Sequence, residues 1–101
     1  IDPAAGVNIE IVARVPPLAP VKNPMLETRL LGLLGSNEVL AVPYGTEAGI
    51  FSEAGIPAVV IGPGDAADAH QPDEKIAISQ LISCTEFLIS MLEKYNTEPL
   101  L

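Results

Sequence analysis

The chain has 101 residues and a net charge of −8, which argues against partners rich in phosphate, such as nucleic acids and anionic membrane surfaces. Hydrophobic residues make up 49% of the sequence and aromatic residues 4%, so we expect one small domain with an aliphatic core rather than a disordered chain. No apolar run is long enough for a bilayer, the first residues do not resemble a signal peptide, and the single cysteine, Cys84, cannot form an internal disulfide; we therefore expect a cytoplasmic protein.

The first predicted element is a half-buried strand at 7–15, where apolar residues recur at every second position. Two prolines, Pro16 and Pro17, end this strand because proline cannot donate to a β-ladder. The three prolines within 16–20 predict a stiff linker between two structural units.

The rest of the chain alternates between helices and short apolar strands. Asn and Pro favour helix starts, and Gly favours helix ends. The predicted elements are a helix from Asn23-Pro24 to Gly35, a strand at 38–42, a helix from Thr46 to Ala54 closed by Gly55, a strand at 57–61 and a helix at 79–95.

This order predicts an α/β fold with parallel strands after residue 20. Two strands are few for a free-standing parallel sheet, because its edges and the apolar helix faces would stay open. The chain also begins at Ile1 without Met. Both features lead us to expect a piece of a longer chain.

A polar loop at 62–74 joins the last predicted strand to the last helix. It contains His70, the only histidine, and four of the thirteen acidic residues. Ligands bind at the carboxyl ends of strands in α/β sheets, and a neutral imidazole beside carboxylates suits a metal ion. One histidine alone does not define a zinc site, so the residues by themselves leave a solvated turn as the alternative.

A second candidate site is the turn at 44–48, between the strand at 38–42 and the next helix. Gly45 permits an unusual backbone angle, and Thr46 can cap the helix. A helix start in this position can also face an anionic ligand. A plain cap, with Glu47 favouring the helix dipole, explains the same residues.

Three motifs, Tyr44-Gly45-Thr46-Glu47-Ala48, Gly62-Pro63-Gly64 and Ala69-His70-Gln71-Pro72-Asp73-Glu74, occur in this order. Together they resemble the C-terminal part of the acetylornithine deacetylases, within the co-catalytic zinc amidohydrolase and peptidase family. The resemblance covers nearly the whole chain. It implies that 19–101 is the C-terminal portion of a three-layer αβα zinc-peptidase catalytic domain, preceded at 1–18 by the last strand of an α+β lid domain.

The resemblance also implies roles for individual residues. His70 matches the family's last metal ligand, which binds one of two zinc ions, with cobalt as a possible replacement. Gly45 and Thr46 match a turn that contacts the carboxylate end of the substrate. Gly62 and Gly64 match the turn that shapes the pocket floor.

Three acidic residues have supporting roles by the same resemblance. Glu74 and Asp73 end the histidine motif and are expected to orient the loop or the imidazole. Glu47 replaces an aspartate common in the family and is expected to anchor structure. No catalytic residue is expected in this chain, because the family's other ligands and its general-base glutamate lie in an upstream segment.

The function that the resemblance implies is removal of the acetyl group from N-acetylornithine in arginine biosynthesis. The substrate would be a small N-acyl amino acid, and the whole enzyme would dimerise through its lid domain. The fragment alone is expected to be inactive. A desuccinylase or peptidase of the same family remains an alternative, as does a non-catalytic α/β interaction module in which the loop and the histidine are structural.

Overall fold

The computed structural model describes residues 2–20 and 25–101, and the regular secondary structure in these ranges is helical. The predicted helix start at Asn23-Pro24 lies outside the described residues. No helix of the described ranges combines the length and apolarity needed to cross a bilayer. The elements are α1 (Met25–Leu34), α2 (Ala48–Glu53), a 3₁₀ turn (Ala66–Asp68) and α3 (Ile78–Tyr95).

The three segments predicted as strands, 7–15, 38–42 and 57–61, form no β-ladder in the described part of the chain. The structure is helical where the sequence predicted α/β, so neither the sheet nor the lid strand within 1–18 is confirmed. A strand needs a neighbour that pairs with its N–H and C=O groups. The alternating pattern specifies an apolar face but supplies no such neighbour, and Val7 in the first segment is 87% exposed.

Helices α1 and α2 end as the sequence predicts, at Gly35 and Gly55. Both glycines adopt positive φ, +65° and +79°. In each case the amide of the following residue donates to the carbonyl five positions back, at 3.1 and 2.9 Å. This is the Schellman arrangement, which favours glycine because a Cβ disfavours the left-handed conformation.

Helix α1 packs against α3, and Leu30 on α1 is buried, at 6% exposure. Arg29 donates a hydrogen bond to the backbone carbonyl of Pro99, beyond the end of α3. The tail at 96–101 therefore has a tertiary contact with α1.

Most of the apolar surface stays open. The solvent-accessible area is 8654 Å², against about 5,500 Å² for a compact monomer of this mass. The radius of gyration is 19.1 Å, against about 13 Å for a compact domain of this length. On α3, three large apolar side chains, Leu81, Leu88 and Leu92, are exposed. The described residues therefore do not bury the aliphatic core that the composition predicts.

The segment 14–17, predicted as the end of a strand and the start of a linker, docks onto α2. Pro16 and Gly49 are both buried. A Cβ built on Gly49 would lie 2.9 Å from the carbonyl carbon of Pro16, closer than real Cβ atoms approach. Arg14 also forms an ion pair with Glu53 at 3.2 Å, but both side chains are exposed, so this pair contributes little.

We expect Gly49→Ala to detach the segment 14–17 from α2, because the added methyl group meets backbone atoms that cannot rotate away. The measurement is the rate at which trypsin cleaves the Arg14–Val15 bond, followed by mass spectrometry. Gly32→Ala in α1 is the matched control, since its Cβ would enter open space. We expect faster cleavage in the first variant alone; equal rates in both would contradict the docking.

Candidate functional site

The 62–74 loop is shaped by local hydrogen bonds. Gly64 has a φ of +92°, which favours glycine. The Asp65 carboxylate then accepts a hydrogen bond from the Ala67 amide at 2.9 Å and caps the 3₁₀ turn. These contacts give the first half of the loop a defined path.

His70 has a φ of +60° and is the non-glycine residue with positive φ in the described ranges. Its side chain is exposed. This backbone conformation costs an L-residue roughly 1–2 kcal/mol, and such strained positions cluster at functional sites. Nothing in the residue spacing signals this conformation.

No group of three His, Cys, Asp or Glu side chains in residues 2–20 and 25–101 could hold a metal ion together. His70 can therefore supply one ligand, but the described residues do not complete a site of three or more ligands around it. Asp73 and Glu74 are exposed and form no side-chain hydrogen bond with His70. Their expected orienting roles stay predictions.

Thr46 caps α2, as the sequence predicts. Its hydroxyl oxygen accepts a hydrogen bond from the Ala48 amide at 3.2 Å, and its carbonyl accepts from Gly49 at 3.3 Å. Glu47 directly precedes the helix, but its side chain makes no capping hydrogen bond. The half-buried Thr46 is thus tied to the first turn of α2.

The structure gives a steric reason for glycine at position 45. The sequence allowed an unusual backbone angle there, but Gly45 does not adopt a positive φ. A Cβ at this position would instead lie 2.6 Å from Cγ1 of Val15. Glycine is needed here because the segment 14–17 passes close to the turn. This contact joins residues distant in the sequence, so the local sequence pattern does not reveal it.

Gly62 and Gly64 border two different cavities. Gly64 lines a cavity of about 440 Å³ with Asp65, Asp68 and Lys75. Gly62 lines a smaller one of about 110 Å³ next to α3, and the half-buried Cys84 forms part of its wall. Neither cavity includes Thr46 or His70 in its wall, so neither brings the predicted site residues together.

Removing the cap at Thr46 should loosen α2. In Thr46→Val the shape is kept but the acceptor for the Ala48 amide is lost, which costs about 1 kcal/mol. We expect amide exchange at Ala48 to rise about fivefold, measured by NMR. Thr85→Val is the control, because Thr85 only donates to the Leu81 carbonyl within α3. Unchanged exchange at Ala48 would contradict the cap.

Comparison with known families decides the affiliation of this chain. Residues 7–94 match the model of peptidase family M20/M25/M40. The chain belongs to this family. The match confirms the resemblance based on the three motifs, since all of them lie within 7–94, and it includes the segment 14–17.

Relatives within peptidase family M20/M25/M40 are much longer than this chain. The chain is 38% identical to N-acetyl-L-citrulline deacetylase from Xanthomonas campestris over 86 residues, which are 79% of the chain and 23% of the relative. It is 40% identical to acetylornithine deacetylase from Myxococcus xanthus over 60 residues, 59% of the chain and 16% of that relative.

A third relative carries a different name. The chain is 40% identical to N-formyl-4-amino-5-aminomethyl-2-methylpyrimidine deformylase from Bacillus subtilis over 47 residues, 46% of the chain and 11% of that protein. The chain thus spans about a tenth to a quarter of the curated relatives that it matches. No solved structure matches it significantly.

Proposed function

We propose that this chain forms part of a metal-dependent amidohydrolase that removes the acetyl group from an N-acetyl amino acid, with N-acetylornithine as the expected substrate. The observation that carries this proposal is the family match over 7–94. The names of the three relatives support it, because each describes removal of a small acyl group, acetyl or formyl. All three names describe removal of an acyl group from a nitrogen atom, whereas the amine that is released differs.

His70 is the proposed metal ligand of this chain. Its ring is exposed on a loop whose backbone is strained at that residue, which supports a role beyond packing. A single neutral imidazole fits zinc as one ligand of several, so the other ligands would come from other parts of the enzyme. Zinc, when bound, polarises an amide carbonyl and activates water for attack.

Thr46 is the proposed contact for the substrate carboxylate. Its hydroxyl oxygen already accepts a hydrogen bond from Ala48, so its own proton is free to donate to another group. Gly45 is exposed, so the backbone of this turn is accessible to a ligand on the side away from Val15. In the same proposal Gly62 and Gly64 shape the pocket floor, while Asp73 and Glu74 orient the loop.

The test is hydrolysis by the full-length enzyme of N-acetylornithine, N-acetylcitrulline and N-succinyl-diaminopimelate, with zinc or cobalt added after metal removal. We expect the highest kcat/KM for N-acetylornithine and recovery of activity by either metal. The alignment with N-acetyl-L-citrulline deacetylase covers 79% of this chain, so N-acetylcitrulline is a specific competing substrate. A preference for it would change the proposed substrate but keep the proposed reaction. Absence of hydrolysis with all three would favour a non-catalytic module.

Assembly and location follow from the same proposal. The full-length enzyme is proposed to be a cytoplasmic homodimer joined through its lid domain. Light scattering of the full-length protein and of a lid-deleted variant measures the assembly. A dimer that persists without the lid would contradict this part of the proposal.

A further inference from the structure

Burial in this open chain is concentrated in one contact. The described residues include three buried ones, Pro16, Leu30 and Gly49. Two of them, Pro16 and Gly49, face each other across the contact between the segment 14–17 and α2. Two of the three buried residues in the described ranges therefore lie in the contact between the segment 14–17 and α2, away from the α1–α3 contact.

Two glycines make this close approach possible. Gly45 lies in the turn just before α2, and Gly49 lies in the first turn of this helix. A Cβ on Gly45 would meet the Val15 side chain at 2.6 Å, and a Cβ on Gly49 would meet the Pro16 backbone. A larger residue at Gly49 would push the Pro16 backbone away, and one at Gly45 would displace the Val15 side chain.

Thr46 lies directly between these contacts. Gly45 precedes it and is covered by Val15, while the Gly49 amide donates to its carbonyl at 3.3 Å. Its hydroxyl is held by the Ala48 amide at 3.2 Å. A displacement of the segment 14–17 would therefore be transmitted to the turn that carries Thr46.

We infer that Val15 and Gly49 are positioning residues, which hold the Gly45–Thr46 turn in the geometry that binds the substrate carboxylate. This inference rests on the proposed function. It extends that function, because it assigns control of substrate affinity to the segment 14–17, at the predicted boundary between the lid and the catalytic domain. Movement of that segment would then change the binding turn without any contact between the segment and the substrate.

A steric rescue in the full-length enzyme tests the inference. Gly45→Ala should raise the KM for N-acetylornithine about tenfold while kcat changes less than about twofold, because binding geometry and not the metal is disturbed. Adding Val15→Ala removes the Cγ1 atom that the new methyl group meets, and the remaining Val15 Cβ lies at an ordinary contact distance of 3.5 Å. The double variant should return KM to within about twofold of the unmodified enzyme.

Two outcomes overturn the inference. If the methyl group at position 45 disturbs the substrate directly, the double variant stays as weak as Gly45→Ala alone. If Gly45→Ala does not fold, Val15→Ala alone decides: a KM increase of about threefold is expected, and an unchanged KM overturns the inference. Val39→Ala is the control, since Val39 is 59% exposed and Val15 is 61% exposed.

The outcomes distinguish failure of the proposed function from failure of the positioning role. An unmodified enzyme that hydrolyses no N-acyl amino acid refutes the proposed function. An active enzyme without rescue by Val15→Ala refutes the positioning role alone. Metal content, measured by elemental analysis, should stay the same in every variant, because none of the substitutions touches His70.

Discussion

His70→Ala in the full-length enzyme is expected to reduce deacylase activity to near background and to remove one metal equivalent. The imidazole nitrogen is the proposed ligand of one ion, and a methyl group offers no electron pair in its place. Activity is measured as kcat/KM on N-acetylornithine, and metal content by elemental analysis after dialysis. Unchanged turnover would end the proposal that His70 binds the metal.

The backbone at His70 provides a way to separate lost ligation from a damaged fold. Because His70 has a φ of +60°, His70→Gly should remove the ligand and also relieve strain. We expect this variant to be inactive, yet about 1 kcal/mol more stable than the metal-free unmodified enzyme in denaturant unfolding. Asn96→Ala, beyond the end of α3, serves as an unrelated control and should keep full activity.

The isolated 101-residue chain is expected to hydrolyse no N-acetylornithine and to bind zinc weakly. Its described residues bring no three metal-ligating side chains together, so His70 would have to hold the ion in a site with fewer than three protein ligands. Calorimetric titration with zinc and an amine-release assay measure the two properties. The full-length enzyme, assayed in parallel, shows that the conditions support turnover. Hydrolysis by the isolated chain would contradict the view that the other ligands are required.

Local chemistry accounts for the features that the sequence predicts well. Glycine ends the first two helices at Gly35 and Gly55 because each requires a left-handed backbone. Thr46 caps α2 because its hydroxyl reaches an amide two residues away. The last helix begins within one residue of its predicted start, since its apolar period extends over five turns.

The candidate site was predictable as motifs but not as geometry. The three motifs identify the family, and the match over 7–94 agrees. The strain at His70 has no counterpart in its spacing, and the positions of Gly62 and Gly64 on separate cavities depend on how the loop meets α3. The orienting roles of Asp73 and Glu74 remain predictions.

By itself, the sequence determined where helices end, which turn is capped and which family the chain belongs to, because each depends on residues close together in the chain. Only the tertiary structure decided that the predicted strand at 7–15 forms no ladder and that Gly45 and Gly49 accept the segment 14–17. Strand pairing and close packing need a partner distant in sequence. An alternating pattern or a glycine allows such a contact, but the tertiary structure determines which residues make it.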